Sequence, residues 1–476
     1  MSISKKTKIV ATLGPATSSK EILKNMLEAG VNVFRINFSH ADYDDVKERI
    51  AYIRELNEEY SYNAAILADL QGPKLRVGVM EDDVEAVDGQ EIVFATGEAF
   101  KGNAERVYMN YDAFPKDVNA GERILLDDGK LIFEVVSTNK KNEVLTKVVQ
   151  GGPLKSKKGV NLPNTNISLP ALTEKDIKDA EFACSLGVDW IALSFVRHEH
   201  DIIQLQELIE KHSKYKIPII AKIEKPEGVE NIEKIVAYCD GIMVARGDLG
   251  VEIPAQEVPL IQKQLVLMAK KARIPVIIAT QMMETMINSL TPTRAEVNDV
   301  ANSVMDGADA VMLSGETSVG QYPVEVIEKM ASILRSVENS PLVKVPQDHP
   351  HVRTKRYITK SVCYHAANMA NEIKAKAICT LTNSGYTAFQ ISAWRPESHI
   401  LVFTSNKRIL NRLSLLWGVQ AFYYDKYSTT DETIEDINHI AKEGKFVESG
   451  DFTINLAAMP IASKGMVNTI RVSEID

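Results

Sequence analysis

Short apolar segments alternate with helical segments eight times along this chain, and the alternation is interrupted once. Segments such as TKIVATLG and VNVFRINFSH are typical of buried parallel strands, and each precedes a helix with its own start and stop signals. Three strand segments precede Gly72 and five follow Leu172. Strands joined by helices in this order predict a (β/α)8 TIM barrel formed by residues 1–72 and 169–340.

Residues 73–168 break the alternation, because they contain no convincing long helix. Short alternating segments are divided by turn signals, and Asp128-Gly129 between two apolar runs is a strong hairpin signal. We therefore predict a small all-β domain inserted after the third strand. Beyond the proline-rich, linker-like segment PLVKVPQDHPHVR, strand and helix signals return and predict a separate open α/β domain over residues 341–476.

Composition limits the classes of function. Hydrophobic residues make up 45% and charged residues 25% of the 476 residues, as in ordinary globular proteins. The formal net charge of −9 gives no support to a nucleic-acid partner or an anionic membrane. The four cysteines are far apart and form no CxxC pair, which indicates reduced thiols. No secretory signal and no apolar run of about 18 residues is visible, so we expect a soluble cytoplasmic protein.

Chemistry-bearing residues cluster where the predicted strands end. The segment PIIAKIEKPEGV ends a buried strand with Lys222 and Glu224, which point to one face because strand side chains alternate. Alone, this pair is equally compatible with an ion pair at a sheet edge. However, polar residues stand at the carboxyl end of seven of the eight predicted strands. The carboxyl ends of barrel strands build active sites. The other positions are Arg35, Asn37, Ser39, Asp69, Ser194, Arg246, Gly247, Asp248, Thr280, Ser314 and Glu316.

These residue types favour phosphoryl transfer. Glu224 and Asp248 supply hard oxygen ligands that suit Mg²⁺ or Mn²⁺ when substrate oxygens and water complete the coordination. Arg35 and Lys222 are cations suited to a phosphate that also touches the metal. Gly247, followed by a short helical start, can offer backbone N–H groups to a carboxylate. Neither GxxxxGK[ST] nor GxGxxG is present, so a nucleotide would be held by other loops.

The barrel and the inserted domain contain the motifs FRINFSH, DLQGPKLRVG, SKKGVNLP, AKIEKPEGV, MVARGDLGVEIP, ATQMMETM, PTRAEVNDVANSVMDGADAVMLSGET and GQYP. Together these motifs closely resemble those of the pyruvate kinase family. The resemblance implies transfer of the phosphoryl group of phosphoenolpyruvate to ADP, giving ATP, followed by protonation of the enolate to pyruvate. It also implies Mg²⁺ (or Mn²⁺) as the cofactor and a homotetrameric assembly.

The resemblance assigns roles residue by residue. Lys222 would stabilise the phosphoryl group in flight, and Glu224 and Asp248 would hold the metal that bridges the substrate. Arg35 would grip the transferring phosphate. The carboxylate end of the substrate would be bound by Gly247, Asp248 and Thr280.

Proton transfer and nucleotide binding are assigned in the same way. Thr280, with Ser314, Glu316 and water, would lie on the face where the enolate carbon is protonated. The ADP side is expected to comprise Asn37, His40, Arg76 and Lys158. Alone, His40 is more typical of a strand-end cap, and only the motif assigns it to the nucleotide. Arg76 and Lys158 lie at the two hinges of the inserted domain, so its closure would bring charge onto the nucleotide and exclude water.

One departure from the family concerns a monovalent cation. Many members carry Glu in a GPEIR motif and bind K⁺ with residues that match Asn37, Ser39 and Asp69. Here the motif reads GPKLR, with Lys74 in the Glu position. We predict that the Lys74 ammonium replaces K⁺; if K⁺ is used, its ligands would be Asn37, Ser39, Asp69 and Leu70. The alternative is that Lys74 is only a solvated hinge residue.

A second departure lies in the C-terminal domain. The residues Thr382, Asn383, Ser384 and Thr387 resemble the family's effector phosphate loop, placed before a helix N-terminus that favours anions. The late segment INLAAMPIASKGMVNT lacks the Trp-Arg-Pro-Gly-type loop of members activated by fructose-1,6-bisphosphate. We therefore expect another phosphate-bearing effector, AMP or a sugar monophosphate, or no strong allostery.

Two other classes of protein stay open at this point. A barrel lyase or aldolase acting on pyruvate-like acids could also use a Glu/Asp metal pair. Such an enzyme would not need the inserted domain, Lys222 or the basic hinge residues. A non-catalytic metabolite sensor built on the C-terminal domain would tolerate the loss of Lys222 and Thr280, which are both present.

Overall fold

The first strands and helices of the barrel lie where the apolar segments predict them. The computed structural model describes residues 5–163, 165–340, 356–426, 429–459 and 465–476. Its first elements are β1 (Lys8–Thr12), α1 (Lys20–Ala29), β2 (Val33–Asn37), α2 (Tyr43–Tyr60) and β3 (Ala65–Asp69). The Ser19 hydroxyl caps α1 by accepting a hydrogen bond from the Ile22 amide, and Gly30 ends the helix with a φ of 122°. Both are the kinds of start and stop signal that predict a helix from sequence.

The inserted segment forms a β-rich domain, as the turn signals predict. Its elements are β4 (Glu85–Ala86), β5 (Glu91–Ala95), β6 (Arg106–Tyr108), α3 (Phe114–Asp117), β7 (Arg123–Leu126), β8 (Leu131–Thr138), β9 (Glu143–Gln150), β10 (Gly152–Pro153) and β11 (Val160–Asn161). Six strands form one sheet in the order β11-β7-β8-β9-β5-β6, and β10 pairs with β4. Strands β7 and β8 pair antiparallel around Asp128-Gly129, which confirms the hairpin.

The remaining barrel strands complete a closed, parallel eight-stranded sheet, which confirms the TIM barrel. The strands are β12 (Trp190–Leu193), β13 (Ile219–Ile223), β14 (Gly241–Ala245), β15 (Val276–Ala279) and β16 (Ala310–Leu313). Strand β12 pairs with β3, and β16 pairs with β1, so the inserted domain interrupts the chain without interrupting the sheet. All strand carboxyl ends therefore meet at one rim.

Helices surround this barrel. At the start of α4 (Glu174–Ser185), Thr173 forms a capping box with Asp176. The helices are α4 (Glu174–Ser185), α5 (Glu199–His212), α6 (Pro226–Glu230), α7 (Ile232–Ile235), α8 (Arg246–Glu252), α9 (Val258–Ala272), α10 (Arg294–Asp306), α11 (Gly315–Ser318) and α12 (Pro323–Glu338). Within the described ranges, every helix is too short or too polar to span a bilayer. The boundaries at 72/73, 168/169 and 340/341 stay predictions, and the predicted linker lies outside the described residues.

The C-terminal domain is an open α/β sheet, as predicted. Its elements are α13 (Tyr357–Glu372), β17 (Ala377–Leu381), α14 (Tyr386–Ala393), β18 (His399–Thr404), α15 (Lys407–Arg412), β19 (Val419–Tyr423), α16 (Thr430–Glu443), β20 (Phe452–Ala457) and β21 (Thr469–Glu474). The strand order is β19-β18-β17-β20-β21, with β21 antiparallel at the edge.

The C-terminal domain packs against the end of the barrel opposite the rim. Leu415, in the short 3-10 helix Leu413–Leu415, is fully buried and belongs to the same hydrophobic cluster as Val10 and Trp190 inside the barrel. The Trp190 indole also donates a hydrogen bond of 3.2 Å to the Arg412 carbonyl. The C-terminal domain therefore covers the amino-terminal end of the barrel strands. The opposite end, the rim beside the inserted domain, stays open to a ligand.

Candidate active site

The centre of the rim is Asp69, the last residue of β3. It is 1% exposed, and its Oδ2 accepts a hydrogen bond of 2.6 Å from Arg35 Nε. Its Oδ1 lies 3.2 Å from Lys222 Nζ. Burial alone would raise the pKa of Asp69, but the charges of Lys222 and Arg35 lower that pKa below its ordinary value. Asp69 is therefore a fixed anion that holds two cations at the barrel mouth.

Lys222, on β13, contacts three polar side chains of the rim. Its Nζ lies 3.0 Å from Glu224 Oε1 and donates a hydrogen bond of 2.7 Å to Ser194 Oγ. Burial opposes its charge, but Asp69 and Glu224 together raise the pKa of Lys222 above its ordinary value. The ammonium therefore stays protonated, and the predicted common face of Lys222 and Glu224 is confirmed.

Glu224 and Asp248 form a pair of carboxylates with too little positive charge around them. Glu224 is 1% exposed, and its Oε2 accepts a hydrogen bond of 2.7 Å from the Phe195 amide. Burial, and then repulsion from Asp248, raises the pKa of Glu224 to about 7, despite the opposing charge of Lys222. Asp248 is exposed in the first turn of α8. A divalent cation beside Glu224 and Asp248 would relieve this repulsion.

The donor set at this point fits Mg²⁺ or Mn²⁺. Within the described ranges, no group of three or more His, Cys, Asp or Glu side chains is arranged to hold a metal ion. Two carboxylates are a typical protein contribution for Mg²⁺, which keeps several waters and takes further oxygens from a substrate phosphate. The residues present therefore fit a metal that binds together with a substrate.

Strands β14 and β15 bring Gly247 and Thr280 together. The Gly247 amide donates a hydrogen bond of 2.7 Å to Thr280 Oγ1, which itself donates to the Ala279 carbonyl at 2.6 Å. A Cβ on Gly247 would lie only 3.2 Å from Thr280 Oγ1, so a larger residue would crowd this contact. Thr280 has a φ of 69° and Gln281 a φ of 53°, a left-handed conformation that costs about 1–3 kcal/mol at a non-glycine residue. Such strain is typical of functional sites.

Glu316 braces the loops that follow β15 and β16. Its Oε2 accepts a hydrogen bond of 2.6 Å from the Ser314 amide, and its Oε1 accepts one of 3.1 Å from the Met283 amide. Burial raises the pKa of Glu316. Because backbone donors hold both oxygens, this carboxylate fixes the strand ends beside Thr280.

The predicted nucleotide residues are only partly brought together. His40 is exposed, and its pKa is lowered by partial burial and by the charges of Lys74, Arg76 and Lys175. Lys158 instead lies 2.8 Å from Asp127 Oδ1 within the inserted domain. The segments that contain Lys158 and Arg76 are adjacent. Arg76 forms an isolated β-bridge with Gly159, and the Val77 amide donates a hydrogen bond to the Lys158 carbonyl.

The residues predicted to bind K⁺ lie at the ends of β2 and β3. Asn37 pairs with Asp69 in the strand register, and Asn37 Oδ1 accepts a hydrogen bond of 3.1 Å from the Ser39 amide. The Leu70 carbonyl accepts a hydrogen bond of 2.7 Å from Ser194 Oγ. Lys74 is exposed and makes no ion pair with Asp69 in the described part of the chain. The structure thus places Lys74 near His40 but not in contact with Asp69.

Two site residues were missed by the sequence reasoning. Thr12 ends β1, the one strand to which no site residue was assigned, and its hydroxyl accepts a hydrogen bond of 3.0 Å from Arg35 Nη1. Its position at a strand end was a usable signal. Phe195 offers its amide to Glu224 because its φ is 54°, and no pattern in the sequence indicates that conformation.

The predicted effector loop lines a pocket of about 340 Å³ in the C-terminal domain. Gly385, with a φ of 80°, precedes α14, and its amide donates a hydrogen bond of 3.0 Å to Thr382 Oγ1. Thr387 is buried, and its hydroxyl accepts a hydrogen bond of 3.2 Å from Thr380. Asn383, Ser384 and Arg356 also line the pocket. Part of the late segment INLAAMPIASKGMVNT, residues 460–464, lies outside the described residues.

Comparison with known proteins gives a consistent result. The family model described as "Pyruvate kinase, barrel domain" matches residues 4–327, and "Pyruvate kinase, alpha/beta domain" matches residues 360–473. A pyruvate kinase from Geobacillus stearothermophilus is 43% identical over 476 residues, covering 99% of this chain and 80% of the relative. One from Mycobacterium tuberculosis is 41% identical over 473 residues, 99% of each chain. The crystal structure of a pyruvate kinase from Cryptosporidium parvum matches with a TM-score of 0.92 at 32% identity, covering 99% of this chain and 97% of that one.

Proposed function

The chain belongs to the pyruvate kinase family, and we propose that the buried cluster around Lys222 carries out the transfer that this family catalyses. The reaction moves the phosphoryl group of phosphoenolpyruvate to ADP, giving ATP and, after protonation of the enolate, pyruvate. The observation that carries the assignment of residues is the position of Lys222 Nζ, 3.2 Å from Asp69 and 3.0 Å from Glu224. A buried, permanently charged ammonium at the barrel rim is placed to meet a migrating anion.

Lys222 and Arg35 act on the phosphoryl group. As the bond between the enolate oxygen and phosphorus breaks, negative charge spreads over the transferring oxygens. The Lys222 ammonium stabilises this charge, and its bonds to Ser194 and the two carboxylates fix its position before substrate binds. Arg35 is held by Asp69 and Thr12 and keeps further N–H donors for the phosphate.

Glu224 and Asp248 hold Mg²⁺ or Mn²⁺ in this proposal. When bound, the metal supplies Lewis-acid polarisation and charge neutralisation at the phosphate. The Phe195 amide fixes one Glu224 oxygen at 2.7 Å. Asp248 lies in the first turn of α8, one residue after Gly247, whose amide would exchange its hydrogen bond to Thr280 Oγ1 for one to the substrate carboxylate.

Thr280 is the residue proposed to serve the proton-transfer step. Its hydroxyl already bonds the Gly247 amide and the Ala279 carbonyl, so it lies next to the proposed carboxylate site. Delivery of a proton to the enolate carbon completes pyruvate. The Glu316 brace keeps the ends of β15 and β16 in place during this step.

The inserted domain is proposed to close over the nucleotide. Its hinge is tightly anchored, because Arg197 donates hydrogen bonds of 2.6 Å to the carbonyls of both Ile167 and Leu169. The cations near His40 supply a surface for the ADP phosphates, with Asn37, Arg76 and Lys158 as the other proposed contacts. Closure would also exclude water from the transferring group.

An assay that couples pyruvate formation from phosphoenolpyruvate and ADP to lactate dehydrogenase tests the function directly. NADH oxidation that requires both substrates and a divalent metal is the expected result. The alternative barrel lyase or aldolase would consume a pyruvate-like acid without ADP, and a metabolite sensor would bind without turnover. Either of those outcomes would overturn the assignment.

We further propose that Lys74 replaces K⁺. With phosphoenolpyruvate and ADP bound, closure of the inserted domain would carry the exposed Lys74 ammonium toward Asn37, Ser39 and Asp69. In Tris buffer free of K⁺, we expect the enzyme to keep most of its activity. The Lys74→Glu variant should lose activity by about tenfold or more in that buffer, a change of about 1.4 kcal/mol in the barrier. Added K⁺ should restore it.

The control for this experiment is Lys101→Glu, the same charge change at another exposed lysine of the inserted domain. It should leave activity unchanged with and without K⁺. If the unmodified enzyme shows negligible turnover until K⁺ is added, the replacement is wrong, and Lys74 is a solvated hinge residue.

The loop formed by Thr382, Asn383, Ser384 and Thr387 is proposed to bind a phosphate-bearing effector other than fructose-1,6-bisphosphate. Thr382, Asn383 and Ser384 precede α14, and Thr387 lies in its first turn, where the helix dipole favours an anion; Arg356 lines the same pocket. An allosteric ligand typically changes affinity by about fivefold or more. We expect fructose-1,6-bisphosphate to change the half-saturating phosphoenolpyruvate concentration by less than that, whereas AMP or a sugar monophosphate is the stronger candidate. A sharp decrease with fructose-1,6-bisphosphate would contradict this.

The family resemblance also implies a homotetramer; we propose this assembly and, from the composition of the chain, a cytoplasmic location. Self-association is supported by the exposed Leu260 and Leu267, which lie seven residues apart on α9, and by the unpaired edge of β21. Light scattering should give about four times the 52.8 kDa mass of the chain. A monomeric mass would reject the assembly.

A further inference from the structure

A buried ion pair lies directly behind the two proposed metal ligands. Lys225 Nζ is 2.7 Å from Glu252 Oε1, and the side chains are 9% and 1% exposed. Lys225 follows Glu224 in the chain, while Glu252 ends α8, the helix that carries Asp248 in its first turn. The pair therefore connects the segment that holds one metal carboxylate to the helix that holds the other.

The inserted domain joins the same carboxylate. Asn161, in β11, donates a hydrogen bond of 2.8 Å from Nδ2 to Glu252 Oε1. Lys225, Glu252, Asn161 and Asp248 together line a cavity of about 80 Å³ between the inserted domain and the barrel. One oxygen thus receives a donor from the barrel and a donor from the inserted domain.

Stability alone does not account for this arrangement. A buried ion pair is often no better for stability than apolar residues of similar volume, because two charges must be desolvated. Here Glu252 Oε2 is also buried without a hydrogen-bond partner in the described part of the chain, which adds a further cost. Residues that support metal ligands from behind, in contrast, set the ligands' orientation and the affinity of the site.

We propose that Lys225 and Glu252 are positioning residues that fix the distance between Glu224 and Asp248, and that Asn161 couples this distance to the position of the inserted domain. The inference rests on the proposed role of Glu224 and Asp248 as metal ligands. The ion pair keeps α8 against the end of β13, so both carboxylates are arranged before the metal arrives. The Asn161 hydrogen bond makes closure of the inserted domain sensitive to the same pair.

The test measures direct binding of Mn²⁺ alone to the full chain. The concentration of free Mn²⁺ is read from its electron paramagnetic resonance signal. The Lys225→Met and Glu252→Gln variants should raise the Mn²⁺ dissociation constant by about tenfold or more. The double variant Lys225→Met/Glu252→Leu removes both charges, so it keeps the test valid if a single variant fails to fold. It should lose Mn²⁺ affinity to the same extent, while circular dichroism shows a native fold.

The matched control is Lys216→Met. Lys216 and Asp240 lie 2.6 Å apart and precede β13 and β14, so they join the same two strands at the opposite end of the barrel. This variant should bind Mn²⁺ as the unmodified enzyme does. Mn²⁺ affinity unchanged in a folded Lys225→Met/Glu252→Leu variant would overturn the inference.

Asn161→Leu separates the contribution of the inserted domain. It should leave Mn²⁺ binding to the free enzyme unchanged but raise the KM for ADP by about fivefold or more, with a smaller change in kcat, because closure is weakened. An unchanged KM for ADP would remove Asn161 from the proposal. Glu224→Gln tests the proposed metal site separately from the positioning role of Lys225 and Glu252. If Glu224→Gln still binds Mn²⁺ normally, the proposed metal site is wrong, whatever the Lys225 variants do.

Discussion

The Lys222→Met variant is expected to lose at least about 10³-fold in kcat for pyruvate formation, or about 4 kcal/mol of transition-state stabilisation. The substitution removes the ammonium that contacts both Asp69 and Glu224, while methionine keeps much of the volume. The loss should fall on kcat more than on the KM for ADP, because the charge acts on the migrating group. The lactate dehydrogenase-coupled assay measures both constants.

Proton exchange at the methyl group of pyruvate provides an internal control for this variant. Thr280, the residue proposed for proton transfer, bonds Gly247 and Ala279 rather than Lys222. In D₂O with metal present, the methyl protons of pyruvate should therefore still exchange for deuterium in Lys222→Met, as observed by NMR. The same substitution at Lys216, before the other end of β13, should change neither reaction. Loss of both reactions in Lys222→Met would indicate a collapsed site, and full retention of kcat would exclude the proposed role.

Periodicity and chain order were sufficient to predict the barrel, because every barrel strand is short and largely apolar, and every one except β3 is followed by a helix. The alternation of side chains along β13 likewise predicted the common face of Lys222 and Glu224, which the 3.0 Å ion pair confirms. A strand's own sequence fixes which face its residues share. The shape of the rim follows from the closed sheet, so residues at strand ends were predictable as a group.

Contacts that depend on other parts of the fold were not predictable. The φ of 54° at Phe195, which brings its amide to Glu224, arises from tertiary packing, since that residue type does not favour positive φ. The Lys225–Glu252 pair joins residues 27 positions apart through the packing of α8, and no local pattern encodes it. The surroundings of Lys74 depend on the angle of the inserted domain, which two hinges set together.

Asp69→Asn is expected to destabilise the barrel by about 3–5 kcal/mol, because it leaves a buried positive charge without its partner. The buried Asp69 carboxylate contacts both Arg35 and Lys222, and an amide would leave these two cations with one negative charge fewer beside them. Hydrogen exchange of β3 and β13 peptides, measured without divalent metal, reports the opening free energy of the barrel and avoids assuming two-state unfolding of the whole chain. Catalysis should also decline, since Arg35 and Lys222 both lose a fixed contact.

The double variant Asp69→Asn/Lys222→Met separates charge balance from loss of contacts. Removing the Lys222 charge as well should recover about 0.5–3 kcal/mol relative to the sum of the two single changes, which is the range measured for residues in one network. Asp189→Asn is the control, because Asp189 is buried in an ion pair with Arg54, 3.0 Å away, and does not contact Lys222. Its effect should add to that of Lys222→Met within about 0.5 kcal/mol. Additivity of the Asp69 and Lys222 changes would contradict the electrostatic account, because two charges that hold each other in place cannot act independently.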